Sequence, residues 1–80
     1  MGNPIDQQVI DFTANYTSQS PDSITESTTL DSIGISGIQE TIQYTMELED
    51  SFELIYEDGD GNGLVTVGDA AALIKKKLGG

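Results

Sequence analysis

Neither cysteine nor histidine occurs among the 80 residues, so no disulfide and no zinc ion can staple the fold. Its order must come from packing one modest apolar core. A chain of this length buries only about 60–65% of the surface its unfolded form exposes, which leaves room for a single domain, 1–80, and none for a second. The same absence removes the thiolate nucleophile, the imidazole base and the haem ligand. Carboxylates and hydroxyls are the reactive side chains that remain, and a domain with no catalysis of its own is expected.

Charge narrows the partners. Fourteen acidic residues face three basic ones, for a net charge of −11, and the three are Lys75, Lys76 and Lys77, so residues 1–74 hold every acid and no compensating base. Such a surface repels nucleic acid and anionic bilayers and attracts basic protein surfaces or divalent cations. No apolar run approaches the 18 or so residues of a membrane span, and Met1–Asp6 lacks the basic-then-apolar pattern of a signal peptide. A cytoplasmic protein, monomeric through self-repulsion, is the expectation.

Periodicity predicts helices. Pro4 suits a first helical position, Asn3 can cap it, and Ile5, Val9, Phe12 and Tyr16 recur at steps of 4, 3 and 4, which predicts a helix over about 4–17 with those four facing the core. Asp6 falls in its first turn, where a carboxylate suits the helix dipole. Residues 18–35 are rich in turn formers and read as a long ordered loop pinned by Ile24 and Leu30. A second helix is predicted over about 36–53, its core stripe formed by Ile38, Ile42, Met46, Leu48 and Phe52 and its other face by Glu40, Glu47, Glu49, Asp50 and Glu53. No base lies near those acids in sequence, so they read as a solvated face or as a docking strip for basic partners, with Glu40, Glu47 and Glu49 as its contacts. After an acidic, glycine-rich loop over 57–65, Thr66-Val67-Gly68-Asp69 has capping-box spacing and opens a last helix over about 66–78, with Lys75–Lys77 at its negative dipole end and Gly79-Gly80 after it.

Two constellations could carry function. Asp58-Gly59-Asp60-Gly61-Asn62-Gly63-Leu64-Val65-Thr66-Val67-Gly68-Asp69 matches the calcium-loop template, with Asp58, Asp60, Asn62, the Leu64 carbonyl and Asp69 as candidate Ca²⁺ ligands around Gly63. Asp69 is shorter than the usual bidentate Glu, and the loop has no second copy. Residues 58–78 resemble a single dockerin repeat, so a calcium-binding, EF-hand- or dockerin-like interaction module is one reading, and a plain turn between helices is another.

The second constellation is the order of elements: a helix; a long loop containing Ile24, Thr28, Leu30, Ile33 and Gly34; an acidic helix closing on Leu48-Glu49-Asp50-Ser51-Phe52; and Thr66-Val67-Gly68-Asp69 opening the last helix. In this the chain resembles the acyl carrier protein family over most of residues 4–78. The resemblance implies an all-α bundle of three to four helices, with a short extra turn near 55–60. A serine at the start of the second helix would carry a phosphopantetheine arm whose thiol holds acyl groups as thioesters. It also implies partners: a phosphopantetheinyl transferase, and acyl-transferring and acyl-modifying enzymes of fatty-acid, lipid or polyketide biosynthesis with basic docking surfaces. A helix N-terminus suits the arm's phosphodiester, and a chain without cysteine must import its thiol.

The family pattern, Gly-x-x-Ser followed by an aliphatic residue and usually with Asp before the Ser, meets a departure here. Gly34-Ile35-Ser36-Gly37-Ile38 places Gly37 at the strict serine position. Ser36 is the preferred attachment residue, since it keeps Ile38 and Ile42 on the helix's core stripe. Ser32, in Asp31-Ser32-Ile33, is the alternative, and a carrier homologue lacking the attachment serine is the third reading. An acyl chain would then lie among Val9, Phe12, Ile38, Ile42, Met46 and Leu73.

Overall fold

A computed structural model describes residues 4–79. The expected cap Asn3 and the final Gly80 lie outside the described residues. Helix α1 spans Pro4–Thr17, α2 Gly37–Ser51 and α3 Val67–Gly79; two short 3₁₀ turns, Pro21–Ser23 and Asp31–Ile33, punctuate the first connection. The fold is a small all-α bundle. Residues 54–57 have no regular structure and 58–63 form turns, with no extra helix there.

The long connection is ordered by two devices. Ile24 and Leu30 are buried in the core, as expected, and the chain beside them is stitched to the start of α3. The Leu30 N–H donates to the Val65 carbonyl (2.8 Å) and the Val67 N–H to the Thr28 carbonyl (2.9 Å), forming one isolated antiparallel bridge between Thr29 and Thr66. Gly68 completes the junction: a Cβ there would stand 2.9 Å from the Glu26 carbonyl oxygen, so the loop lies directly on α3's first turn.

Val9 and Ala14 of α1, Tyr44 and Leu48 of α2, and Val67, Ala70, Ala71 and Ile74 of α3 meet in one core with Ile24, Leu30 and Ile35. Ile5, Phe12 and Tyr16 pack against it half-buried, which places the α1 stripe as expected. The α2 stripe is rotated. Ile38 is 74% exposed and Met46 44%, while Tyr44, Thr45, Leu48 and Glu49 are buried. One residue step on a helix is about 100°, and that turn brings Tyr44 inward. Its ring meets Phe12 and Tyr16 at centroid distances of 6.0 and 5.4 Å, and its hydroxyl lies 2.6 Å from Thr13 Oγ1. A phenol that buries its ring and satisfies its hydroxyl outweighs an isoleucine and a methionine left near water.

Candidate functional site

The start of α2 is built by a tight closure of residues 30–36. Gly34, at φ +96°, reverses the chain, and the Ile35 N–H donates to the Leu30 carbonyl at 2.9 Å. Ser36 then stands at the N-cap of α2 with extended backbone, but its hydroxyl makes no capping bond. It donates instead to Asp31 Oδ1 at 2.5 Å. The first amides of α2 therefore carry no side-chain cap. Gly37 follows at φ +87°, a left-handed conformation that favours glycine over any residue with a Cβ. The Ser32 hydroxyl is engaged differently, donating to the Thr29 carbonyl at 2.8 Å inside the second 3₁₀ turn. Both serines are exposed, and Ser36 is the one at the helix end.

Beside Ser36 lies a cleft of about 310 Å³ whose walls include Leu30, Ile35 and Leu64, with Asp31 and Ser36 at its edge. A neighbouring cleft of about 320 Å³ runs past Ile38 and Thr41 to Gly61 and Leu64. These two flank the first turns of α2. The residues expected to cradle an acyl chain do not converge on one cavity. Val9 is wholly inside the core, whereas Ile38 and Met46 face solvent, because the rotation of α2 separates them.

The acidic loop does not form the expected calcium cage. The Asp69 carboxylate turns back on its own helix, Oδ2 accepting from the Val65 N–H (3.0 Å) and the Thr66 N–H (3.1 Å), while the Asp69 N–H donates to Thr66 Oγ1 (3.1 Å). This is the capping box expected from the sequence, and those amide bonds, Val65 first and Thr66 second, hold the Asp69 carboxyl below its ordinary range. Asp60 Oδ2 accepts from the Glu57 N–H and from Lys77 Nζ. Asp58, Asn62 and Leu64 are left without these two acids, and among the described residues no three acidic side chains gather as a cation's ligands would.

Lys77 is the unexpected centre of this region. Its ammonium donates to Glu49 Oε1 (2.8 Å), to the Ile55 carbonyl (2.7 Å) and to Asp60 Oδ2, so all three of its protons are used. Glu49, expected on the docking strip, is fully buried, and its other oxygen, Oε2, is buried without a hydrogen-bond partner. Burial pushes the Glu49 carboxyl above its ordinary value, with the Lys77 bond offsetting part of the rise. Burial also pushes Asp60 up, but hydrogen bonds from Lys77 and the Glu57 N–H outweigh it and hold that carboxyl low. For Lys77 desolvation disfavours the charge, yet Asp60 and Glu49 outweigh it and raise the ammonium to about 12. A third ion pair, Lys75 to Asp6 at 2.9 Å, ties α3 to α1. Two of the three lysines are thus structural partners of acids, and sequence separations of 28 and 17 residues hid the Lys77 pairs from a reading of near neighbours.

These assignments separate two alanine variants. Asp60→Ala should lower stability by roughly 1–3 kcal/mol in chelator-treated buffer, because it removes one anchor of a mostly buried ammonium. Asp58→Ala, on an exposed side chain, should stay within about 0.5 kcal/mol. Urea unfolding of both variants with EDTA checks this; equal and calcium-dependent losses would restore the calcium-loop reading.

Glu40, Glu47, Asp50 and Glu53 remain exposed on α2 and just beyond it. Glu47 is held by the Gln43 amide at 2.8 Å. Among the described residues no helix is long and apolar enough to cross a membrane.

No protein-family model matches the chain. A curated relative does: an acyl carrier protein of Exiguobacterium sp. (strain ATCC BAA-1283 / AT1b), 42% identical over 48 residues, which cover 60% of this chain and 60% of the relative. The alignment thus spans about three fifths of that protein's length. In sequence, as in its three-helix architecture, the chain is similar to an acyl carrier protein, the family that its own motifs resemble.

Proposed function

We propose that the chain is a carrier protein, one that presents acyl groups to partner enzymes and does no chemistry on them itself. The observation that carries this reading is the start of α2. An exposed serine hydroxyl sits at the helix N-cap, is not used as a cap, and opens beside an apolar cleft. A phosphopantetheine arm fits these residues. Ser36 would bear it, the uncapped amides of α2 and the helix dipole favour the phosphodiester's charge, and the arm supplies the thiol that a cysteine-free chain lacks. Leu30, Ile35 and Leu64 offer the apolar walls for the first carbons of a short chain attached there. The 42% identity to a protein named acyl carrier protein supports the same reading.

The direct test is an intact mass spectrum after incubation with coenzyme A and a broad-specificity phosphopantetheinyl transferase, with peptide mapping of the product. The expected result is a gain of one phosphopantetheine on the peptide bearing Ser36. A product on Ser32 would move the site into the 3₁₀ turn, and an unmodified chain would make this a carrier homologue without an arm.

Partners in this reading are the transferase and acyl-handling enzymes of fatty-acid, lipid or polyketide biosynthesis, in the cytoplasm. The exposed acids Glu40 and Glu47 present opposite charge to basic docking surfaces. Glu49 drops out of that strip because it is buried. Glu47→Lys should slow acyl transfer by a partner several-fold at low salt and much less at high salt, while leaving the thermal midpoint within a few degrees. Stopped-flow or discontinuous transfer assays at two ionic strengths check this, and salt-independent kinetics would count against docking through that face.

A further inference from the structure

Asp31 and Ser36 lie five positions apart, and the turn at Gly34 brings their side chains into an exposed hydrogen bond of 2.5 Å beside the cleft. The contact is not a by-product of helix capping, since a serine at an N-cap ordinarily turns its oxygen toward the amides behind it. Here the oxygen makes no capping bond and its proton is aimed at a carboxylate. Ser32 is the contrast: its proton goes to a backbone carbonyl, an acceptor that cannot take it up. The geometry points to Asp31 as the group that orients the Ser36 hydroxyl and receives its proton when Ser36 is modified, in place of a residue adjacent in sequence. This inference rests on the reading of Ser36 as the attachment residue.

The step balances. Ser36 Oγ forms a bond to the phosphorus of a phosphopantetheinyl nucleotide donor as its proton passes to Asp31 Oδ1. The bond from that phosphorus to the departing nucleotide phosphate breaks, the leaving oxygen takes the electron pair, and Asp31 returns the proton to solvent. A carboxylate in hydrogen-bond contact with the hydroxyl holds the attacking oxygen in one rotamer and removes the need for water to do either job.

The experiment follows loading by intact mass for the whole chain, wild type against Asp31→Asn and Asp31→Glu, with coenzyme A and the transferase, and it includes a measurement on the unmodified protein. In the unmodified protein, the Ser36 Cβ resonance should shift when Asp31→Asn weakens the hydrogen bond and move back toward its wild-type position in Asp31→Glu. In the loading series, Asp31→Asn should lower kcat on the order of 10- to 100-fold with KM for the carrier little changed, and Asp31→Glu should recover part of the rate. Circular dichroism should show the same helicity in all three. A Ser36 resonance indifferent to Asp31, or Asp31→Asn loading at the wild-type rate on Ser36, would overturn the role given to Asp31 while leaving the carrier reading standing. A wild type that does not load, or loads elsewhere, would overturn the reading of Ser36 and this role with it.

Discussion

Lys77→Met should cost the domain about 3–5 kcal/mol at neutral pH. The substitution keeps the length and the apolar stem of the side chain but leaves the Glu49 carboxylate, which has no exposed surface, without its cation. Removing one partner of a buried pair strands a charge in a medium that solvates it poorly, and the desolvation cost of that charge then stands uncompensated. Glu49 is already half stranded, because Oε2 has no partner even with Lys77 present. A domain of 80 residues typically has about 4–12 kcal/mol in all, so the loss is a large share of its stability and should lower Tm by roughly 12–40 °C.

The pH dependence distinguishes this cause from lost packing. A carboxyl whose folded pKa is raised binds its proton more tightly in the folded state, so protonation favours folding as pH falls through that raised value. For Glu49 the penalty of the variant should therefore shrink between neutral pH and about pH 4.5. A second variant keeps the claim testable if the first does not fold: Lys77→Met with Glu49→Leu removes the stranded charge and should recover most of the loss. Equal destabilisation of the single variant at both pH values, or no recovery in the double, would show that Lys77 acts through packing alone.

The Lys77 cluster also explains which parts of the molecule were legible in the sequence. Signals that act within one turn or one helix could be read. The Thr66–Asp69 capping box is local chemistry, the α1 stripe is set by spacing along a single helix, and Ile24 and Leu30 are lone apolar residues in a polar stretch with nowhere else to go. What could not be read depends on which distant element arrives opposite. The stripe Ile38, Ile42 and Met46 is as regular as any on α1, yet α1 presents Thr13 and two aromatic rings to α2. Tyr44 answers that surface better, so α2 rotates. Glu49 looked solvent-facing because its cation lies 28 residues away. The partner of Asp60 was hidden for the same reason, since Lys77 lies 17 residues away on α3.

The consequences reach the candidate site. The segment held by Lys77 through Ile55 and Asp60 continues into Gly61 and Leu64, which wall the clefts beside the first turns of α2. Gly61 is packed so closely on Ile42 that a Cβ there would meet its Cα at 3.2 Å. The ion cluster at one end of α2 thus fixes the loop that shapes the other end, about 20 Å away along the helix. A variant that loosens Lys77 should perturb the Ser36 environment without touching it.

The second large effect is alkaline. Between about pH 10 and 12 the domain should lose roughly 2–3 kcal/mol through Tyr44 alone. Burial pushes this phenol up to about 12 from 10.0, the hydrogen bond with Thr13 offsetting part of the rise. The neutral phenol is the form the fold prefers, so its contribution is intact below pH 10. Above that the unfolded chain ionises while the folded chain resists, and stability falls until the folded phenol ionises near 12. Lys77 acts in the same direction over a narrower window. Its ammonium, raised to about 12 from 10.5, stabilises the fold fully below 10.5 and loses that contribution as pH rises through 12. Urea unfolding at pH 9, 10 and 11, followed by circular dichroism, should show the midpoint falling at each step. Tyr44→Phe isolates the larger share: it should cost about 1 kcal/mol at neutral pH, where Thr13 loses its buried partner, and it should flatten the decline between pH 10 and 11 to the part that belongs to Lys77 and to Tyr16, whose phenol burial also raises. A Tyr44→Phe protein that declines as steeply as the wild type would assign the alkaline loss to Lys77 and Tyr16 and remove Tyr44 from it.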